Sequence, residues 1–558
     1  MRRFLAAGRI SLAMAACAAG HGTGWAADDG AKPPPSQSLS APTAQDCDRL
    51  GSLKLPDVEI SVATSLPDRA RVPAAGLTSM YGKAAVVATN VPAFCRVVGH
   101  IRPTKDSDIG FELWMPLQGW DGRLHGIGIG GFAGGIDYFT LSGAIRTGQA
   151  ALATDTGHSG TMSESGWAKG HPEKVRDYGW RAVHLSTVAA KAIIAAIYGR
   201  GPDKSYFVGC SGGGRQGLME AARFPDDYDG ILSGAPAAIW TDLAIAMTSA
   251  MQAQDAPGAA IRRDQTRLLQ EEVLRQCDGN DGQRDGLIAD PRLCRFDASR
   301  LACSTSSSAQ CFSPPQIAAL NRIHAGARDS KGRQLAGGYL PSGSELGTPA
   351  PVFGWDSYLL RGPNGRSEGE GLASGLMDNF IQTPFPSLTT FDFDKDPARL
   401  KAALAADLDA PADLRRFFAR GGKLILWHGW ADAAIPPEAT LRYHAAVARQ
   451  SGKRAQDSTR LFMVPGVQHC AGGLGPSAFG QAGAPKPEET PDRNMVAALQ
   501  AWVEGKAAAP ESLVATRSQA ILMGGAAAQP QRLLCALPRR AVLQPGGDPD
   551  KAASYRCQ

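Results

Sequence analysis

Residues 205–223 read SYFVGCSGGGRQGLMEAAR. An apolar, strand-like run ends at Gly209. Glycines at 212 and 213 then permit a sharp turn and a close backbone approach, which a residue with a Cβ would resist. Leu218, Met219 and Ala222 recur at a spacing that lets a following helix face a sheet. Strand, tight turn and helix in this order belong to a sheet whose strands are joined by helical crossovers, which constrains the chain to an α/β fold. Gly209–Cys210–Ser211–Gly212–Gly213 also satisfies G-x-S-x-G. In that setting the serine Oγ stands at the carboxyl end of a strand, and the next N–H, that of Gly212, enters an oxyanion hole. The alternative is a glycine turn at a helix N-terminus that binds phosphate. Against it, the spacing is not G-x-x-x-x-G-K-[ST] and the lysine is absent.

Other short apolar runs predict buried parallel strands: FELWMP (111–116), HGIGIGG (125–131), AALAT (150–154), GILSG (230–234), KLILWHG (423–429) and RLFMVPG (460–466). HLSTVAAKAIIAAIYG (184–199) predicts a helix between two of them. The alternation predicts a doubly wound, mostly parallel α/β sheet. From about 240 to 415 the rhythm breaks into glycine- and serine-rich loops with four cysteines, then resumes at KLILWHG. The expected organisation is a core in two parts, 47–239 and 416–558, interrupted by an insertion at 240–415 that serves as a lid or as a separate packing unit.

A catalytic serine needs an acid and a base downstream in the order Ser, Asp, His. Asp432 and His469 each follow a predicted strand in that order; His428 and His444 lie near them and read as structural histidines. Cys210 precedes Ser211 and Cys470 follows His469. If these cysteines bond, they hold the nucleophile and base together through adjacent residues, with Cα atoms about 4.4–6.8 Å apart.

MRRF followed by ISLAMAACAAG reads as an export signal ending at Ala26, and it is too short to span a bilayer. A lipoprotein signal ending before Cys17 is the alternative, which would make Cys17 a lipid anchor. Residues 27–46 read as a flexible leader. No further transmembrane segment is expected, and the location is outside the cytoplasm, periplasmic or secreted. Setting Cys17 aside leaves ten of the 11 cysteines, an even number that suits disulfides in an exported chain. None has C-x-x-C spacing. Cys277 with Cys294, Cys303 with Cys311 and Cys535 with Cys557 are close enough for local loops, but spacing does not fix the connectivity. A net charge of +5 over 558 residues, with no basic stripe, gives no ground for nucleic-acid binding.

CDGNDGQRDGLIADPRLC (277–294) crowds Asp278, Asn280, Asp281 and Asp285 between two cysteines. Crowded oxygen donors suit Ca²⁺; a solvated acidic turn is the alternative. It is not an EF-hand, because Ala289 stands where the bidentate glutamate would be.

GIGGFAGG (128–135), ATDTGH (153–158), GCSGGGRQG (209–217), FPDDYDGILSGAPA (224–237), CDGNDGQRDG (277–286), HGWADAAIPP (428–437) and VPGVQHC (464–470) together resemble the tannase and feruloyl esterase family of α/β-hydrolases. That family also includes a bacterial mono(2-hydroxyethyl) terephthalate hydrolase. The similarity runs from about Cys47 to Cys557. It implies an α/β-hydrolase fold with a lid, Ser211 as nucleophile, His469 as base and Asp432 as its acid partner. The implied oxyanion donors are the N–H groups of Gly131 and Gly212. Ile129 departs from the small or polar residue of many relatives, which matters little if only backbone donates. The implied disulfides are Cys210–Cys470, Cys47–Cys95, Cys277–Cys294, Cys303–Cys311 and Cys535–Cys557. The implied structural Ca²⁺ is held by side chains of Asp278, Asp281 and Asp285 and carbonyls of Gln283 and Leu287, with no organic cofactor. The implied reaction is hydrolysis of small aromatic esters of hydroxycinnamic or gallic acids, free or linked to plant polymer. A terephthalate monoester hydrolase is the second reading. It would need a lid cation for the distal carboxylate, for which Arg361 and Arg366 are on offer; Trp355 could line the lid pocket or pack in its core. An inactive exported binding protein is the third.

Overall fold

The computed structural model describes residues 41–79, 86–304, 311–346, 354–362, 365–481, 483, 489–517 and 530–558. The expected export signal, Cys17 and most of the leader lie outside these residues. The leader's last residues, expected to be flexible, enter a short helix, Ala44–Arg49. Thr43 starts it by capping the Asp46 N–H while the Asp46 carboxylate reaches back to Thr43.

Nine strands form one sheet: β1 (Val58–Leu66), β2 (Phe94–Ile101), β3 (Ile109–Pro116), β4 (Arg123–Ile127), β5 (Ala150–Thr154), β6 (Lys204–Cys210), β7 (Gly230–Gly234), β8 (Lys423–Gly429) and β9 (Thr459–Val464). Their spatial order is β1-β2-β3-β5-β4-β6-β7-β8-β9. β4 to β9 pair in parallel. β1, β2 and β3 join antiparallel at one edge, as does β3 with β5. The protein has the α/β-hydrolase fold.

The parallel strands β5, β7 and the body of β8 are buried on both faces, which is why they read as unbroken apolar runs. β3 is equally buried but antiparallel to both neighbours, so its apolar run suggested the wrong direction. HGIGIGG is a strand only as far as Ile127; Gly131, at φ 55°, turns the chain away.

α1 (Tyr138–Arg146) and α2 (Ala182–Tyr198) cover the sheet, and α2 stops at Gly199 in the left-handed conformation. The helical stretch Pro172–Tyr198 is long and apolar enough to cross a membrane. Here Ala189, Ala190, Ile193 and Ile194 pack in one cluster with Leu113 and Leu152 of the sheet.

α3 (Gly212–Arg223) follows β6. Between β7 and β8 the described residues form helices and loops only, among them α4 (Trp240–Ala253), α5 (Thr266–Cys277), α6 (Pro314–Ala325), α7 (Glu368–Gly375) and α8 (Asp396–Leu408). Their apolar faces share one hydrophobic cluster, which also takes in Phe132 and Ile435 from loops past the carboxyl ends of strands and Tyr178 from the helical segment Asp177–Arg181. Trp355 is buried in this cluster. The insertion therefore sits on the strand ends where an α/β sheet binds ligands.

Candidate active site

Ser211 occupies the turn between β6 and α3 with φ 62° and ψ −124°. The surrounding structure over-determines this unusual conformation. The Ser211 N–H donates to the Gly234 carbonyl at 2.9 Å, and the Ser211 carbonyl accepts from Arg215 and Ala237. The neighbouring glycines are needed for space. A Cβ on Gly209 would come within 2.5 Å of the Gly213 backbone, and one on Gly213 within 2.7 Å of Gly128.

Asp432 follows β8 and His469 follows β9. His469 Nδ1 lies 2.7 Å from Asp432 Oδ2, and Asp432 Oδ1 accepts the N–H groups of Ala434 and Ile435 at 2.8 Å each. Burial acts to raise the Asp432 carboxyl, but His469 and His428 beside it outweigh that and hold it well below the usual carboxylate range. Its charge is thus kept, and it engages His469 through Nδ1 and not Nε2.

Both Ser211 and His469 line one cavity of ≈ 430 Å³. No hydrogen bond joins them in this structure; such contacts tighten when substrate binds. Between them runs the Cys210–Cys470 disulfide, with Cα atoms 6.0 Å apart. Cys470 itself has φ 60°, so the loop is bent sharply at the residue after the histidine.

Gly131 and Gly212 meet at the same point. A Cβ on Gly212 would lie 3.4 Å from the Gly131 nitrogen. The Gly131 loop is pinned from behind: Tyr178 donates its hydroxyl to the Gly131 carbonyl at 2.7 Å, His158 Nε2 lies 2.8 Å from the Phe132 carbonyl, and the Phe132 N–H donates to Met162. The Ile129 N–H is taken by Gln216 Oε1 at 3.1 Å, so Ile129 contributes no free donor.

The cavity walls come from the insertion and from the 161–163 loop. Trp240, Leu243, Met247 and Leu372 are apolar; Tyr358 stands edge-on to His469, with ring centroids 5.4 Å apart. Neither Arg361 nor Arg366 lines the cavity. Arg361 is paired with Asp255 at 2.6 Å and Glu370 at 3.1 Å.

Three contributors were not read from sequence. His428 reads as structural in the sequence, yet its Nε2 lies 3.0 Å from Asp432 Oδ2, the same oxygen that His469 meets, while its Nδ1 meets Thr440. Its place four residues before Asp432, at the start of HGWAD, is the available signal. His158 ends ATDTGH, a stretch used only as a likeness. Tyr178 carried no signal, because it lies in an irregular helical segment remote in sequence from Gly131.

The other disulfides join Cys47–Cys95, Cys277–Cys294, Cys303–Cys311 and Cys535–Cys557, the pairs that the resemblance implies. In the 277–294 loop the Asp278 carboxylate accepts the Gly286 N–H, Asp281 that of Gln283, and Asp285 that of Leu287. Asp285 also pairs with Arg532 at 2.5 Å, and the Gln283 amide oxygen accepts from Tyr555. Asn280 is turned to the Leu293 carbonyl. Burial, with Asp285 and Asp278 adding to it, pushes the Asp281 carboxyl up. An oxygen-only donor set with one arginine among three carboxylates suits Ca²⁺ by its chemistry. The carboxylates are not drawn to one point, however. Among the described residues, the one group of three acidic or histidine side chains whose ligand atoms lie within 4.8 Å of one another is His184, Glu220 and Asp227. There burial, with Asp227 beside it, pushes the Glu220 carboxyl well above the usual range, and His184 is already bonded to Asp227 at 2.6 Å.

The model of the family described as tannase and feruloyl esterase matches residues 95–558. The chain belongs to the tannase and feruloyl esterase family. It is a carboxylic ester hydrolase. An esterase of Xanthomonas campestris pv. campestris is 37% identical over 543 residues, covering 92% of this chain and 91% of the relative. The mono(2-hydroxyethyl) terephthalate hydrolase of Piscinibacter sakaiensis is 31% identical over 535 residues, covering 84% and 85%. The crystal structure of feruloyl esterase B from Aspergillus oryzae superposes with a TM-score of 0.81 at 26% identity, over 92% of this chain and 100% of that one. These relatives are enzymes, which leaves the inactive binding protein without support.

Proposed function

We propose that this family member is an exported serine esterase that cleaves esters of aromatic acids by way of an acyl-enzyme. The observation that carries the reading is the cavity in which Ser211, His469 and Gly131 meet apolar and aromatic walls of a size suited to one substituted ring. Ser211 Oγ attacks the ester carbonyl and His469 Nε2 takes its proton. The N–H groups of Gly131 and Gly212 receive the charge that grows on the carbonyl oxygen. His469 returns the proton to the departing alcohol, and water repeats the sequence on the acyl-enzyme. Asp432 stays ionised throughout and stabilises the imidazolium. Hydroxycinnamic or gallic acids fit the acyl position, in line with the names of the relatives. Export is supported by the five disulfides, which suit an oxidising compartment.

A panel of methyl ferulate, methyl caffeate, methyl p-coumarate and methyl gallate tests this reading. Turnover of hydroxycinnamates is the expected result. A preference for gallate moves the enzyme to the tannase side. No turnover of any aromatic ester by folded, disulfide-intact protein, with turnover of short aliphatic esters instead, would sink the aromatic assignment.

Calcium would be held by Asp278, Asp281, Asp285 and the carbonyls of Gln283 and Leu287, fixing the base of the insertion away from the reacting atoms. Chelation of the purified protein is expected to lower its melting temperature by about 5 °C or more, with recovery on adding Ca²⁺ but not Mg²⁺. Asp281→Ala should remove that response. Metal analysis that finds no calcium, with an unchanged melting temperature after chelation, would leave the loop a solvated acidic turn.

A further inference from the structure

The cavity beside Ser211 has a sign. Among the described side chains that line it, the ionisable ones are His469, Tyr358 and Glu368, and there is no lysine or arginine. Glu368 opens α7, and Leu372, one turn later on the same helix face, lines the same cavity. The first turn of α7 divides its two carboxylates between two tasks. Glu370 caps nothing in the cavity and is spent on Arg361 at 3.1 Å. Glu368 is exposed and makes no ion pair with a described residue. Its charge is felt inside: burial, Asp432 and then Glu368 push the Tyr358 hydroxyl up. Tyr358 in turn stands against His469.

We propose that Glu368 is a specificity-determining residue whose fixed negative charge selects uncharged aromatic esters, above all those bearing a phenolic hydroxyl, and rejects aromatic esters that carry a second carboxylate. The inference rests on the serine-esterase reading above and deepens it. Glu368 is exposed, so its charge acts partly screened beside an otherwise apolar cavity: a carboxylate entering there gives up water to the apolar wall and meets a like charge that salt can screen. A phenol meets a hydrogen-bond acceptor instead. Neither effect needs Glu368 to touch the reacting atoms.

Two substrates that differ by one methyl group isolate the charge: monomethyl terephthalate, which carries a carboxylate, and dimethyl terephthalate, which does not and whose rate is halved for its two equivalent esters. Methyl ferulate serves as the phenolic reference. In the wild-type protein the kcat/KM ratio of the neutral to the charged ester should be large and should fall as salt rises from 0.05 to about 0.5 M. Glu368→Gln should lower that ratio about 5-fold, and Glu368→Arg by about 25-fold. Glu370→Gln, which breaks the neighbouring pair with Arg361, should leave it unchanged. Melting temperatures confirm that each variant is folded, and Glu368→Ala replaces any that is not. A ratio that is the same in wild type, Glu368→Gln and Glu368→Arg overturns the inference while leaving the esterase reading intact. No turnover of any of the three esters by folded wild-type protein overturns both.

Discussion

Ser211→Ala is expected to lower kcat/KM for methyl ferulate by about 10⁴–10⁶-fold while leaving the melting temperature unchanged. The alanine keeps the Cβ and so keeps the backbone in its φ 62° conformation, which the Gly234, Arg215 and Ala237 contacts enforce. What it removes is the hydroxyl of the proposed nucleophile, in the cavity that also takes in His469 and Gly131. The residual rate measures what the proposed amide donors and the cavity do alone. Covalent labelling by a fluorophosphonate gives a second readout: wild-type protein should be labelled once, at Ser211, and the variant should not be labelled. Retention of more than about a tenth of the activity would mean that the reaction uses another nucleophile.

Removing the Cys210–Cys470 bond, by changing both cysteines to serine, should act on rate and stability together. The bond closes a loop of 260 residues. Chain entropy alone gives such a cross-link about 5 kcal/mol as an upper figure, so in a chain of this length the melting temperature should fall by about 5 °C. The larger interest is in the rate. His469 and Ser211 come from different strands, and in this structure no hydrogen bond joins them; the disulfide is the covalent tie between their loops. At a temperature where the variant is fully folded, kcat should fall about 10–100-fold, because a small misplacement of the base is felt directly in proton transfer. The Cys303–Cys311 bond, which spans 8 residues within the insertion, is the control; its loss should leave kcat unaltered. Equal kcat in the wild-type and Cys210/Cys470 proteins would make this bond a staple of the fold and nothing more.

Much of this site could be read before the fold was seen, for a physical reason. A nucleophile on a tight turn needs glycines at fixed places, and these leave a signature within nine residues. Strands buried on both faces leave another, which is why β5, β7 and β8 stood out. β1 and β2 did not. β1 is half-exposed along its length, and β2 hides a buried charge: Arg96 lies 2.8 Å from Glu112, which also accepts from Trp114 and Tyr138. A charged residue in a strand looks like a surface until its partner is known. His428 and Tyr178 were hidden for a different reason. Each acts through a contact with a residue far along the chain or across a loop, and neither distance nor direction is written in a local pattern. The charge of the cavity was equally invisible, because Glu368 and Glu370 are indistinguishable on paper and only Arg361 tells them apart.

Phe132 follows Gly131 directly, and its ring stacks on Trp240 at 5.3 Å and meets Phe380 at 4.8 Å, both from the insertion. The insertion thus buttresses Phe132, the neighbour of Gly131, one of the proposed oxyanion donors. In engineering terms the insertion is not a cassette. A chimera that exchanges 240–415 for the same segment of a relative would alter chemistry and selectivity at one stroke, unless the three rings travel with it. Over evolution the same coupling would slow the spread of new lids, since each must fit Phe132 before it can be tried on a new ester.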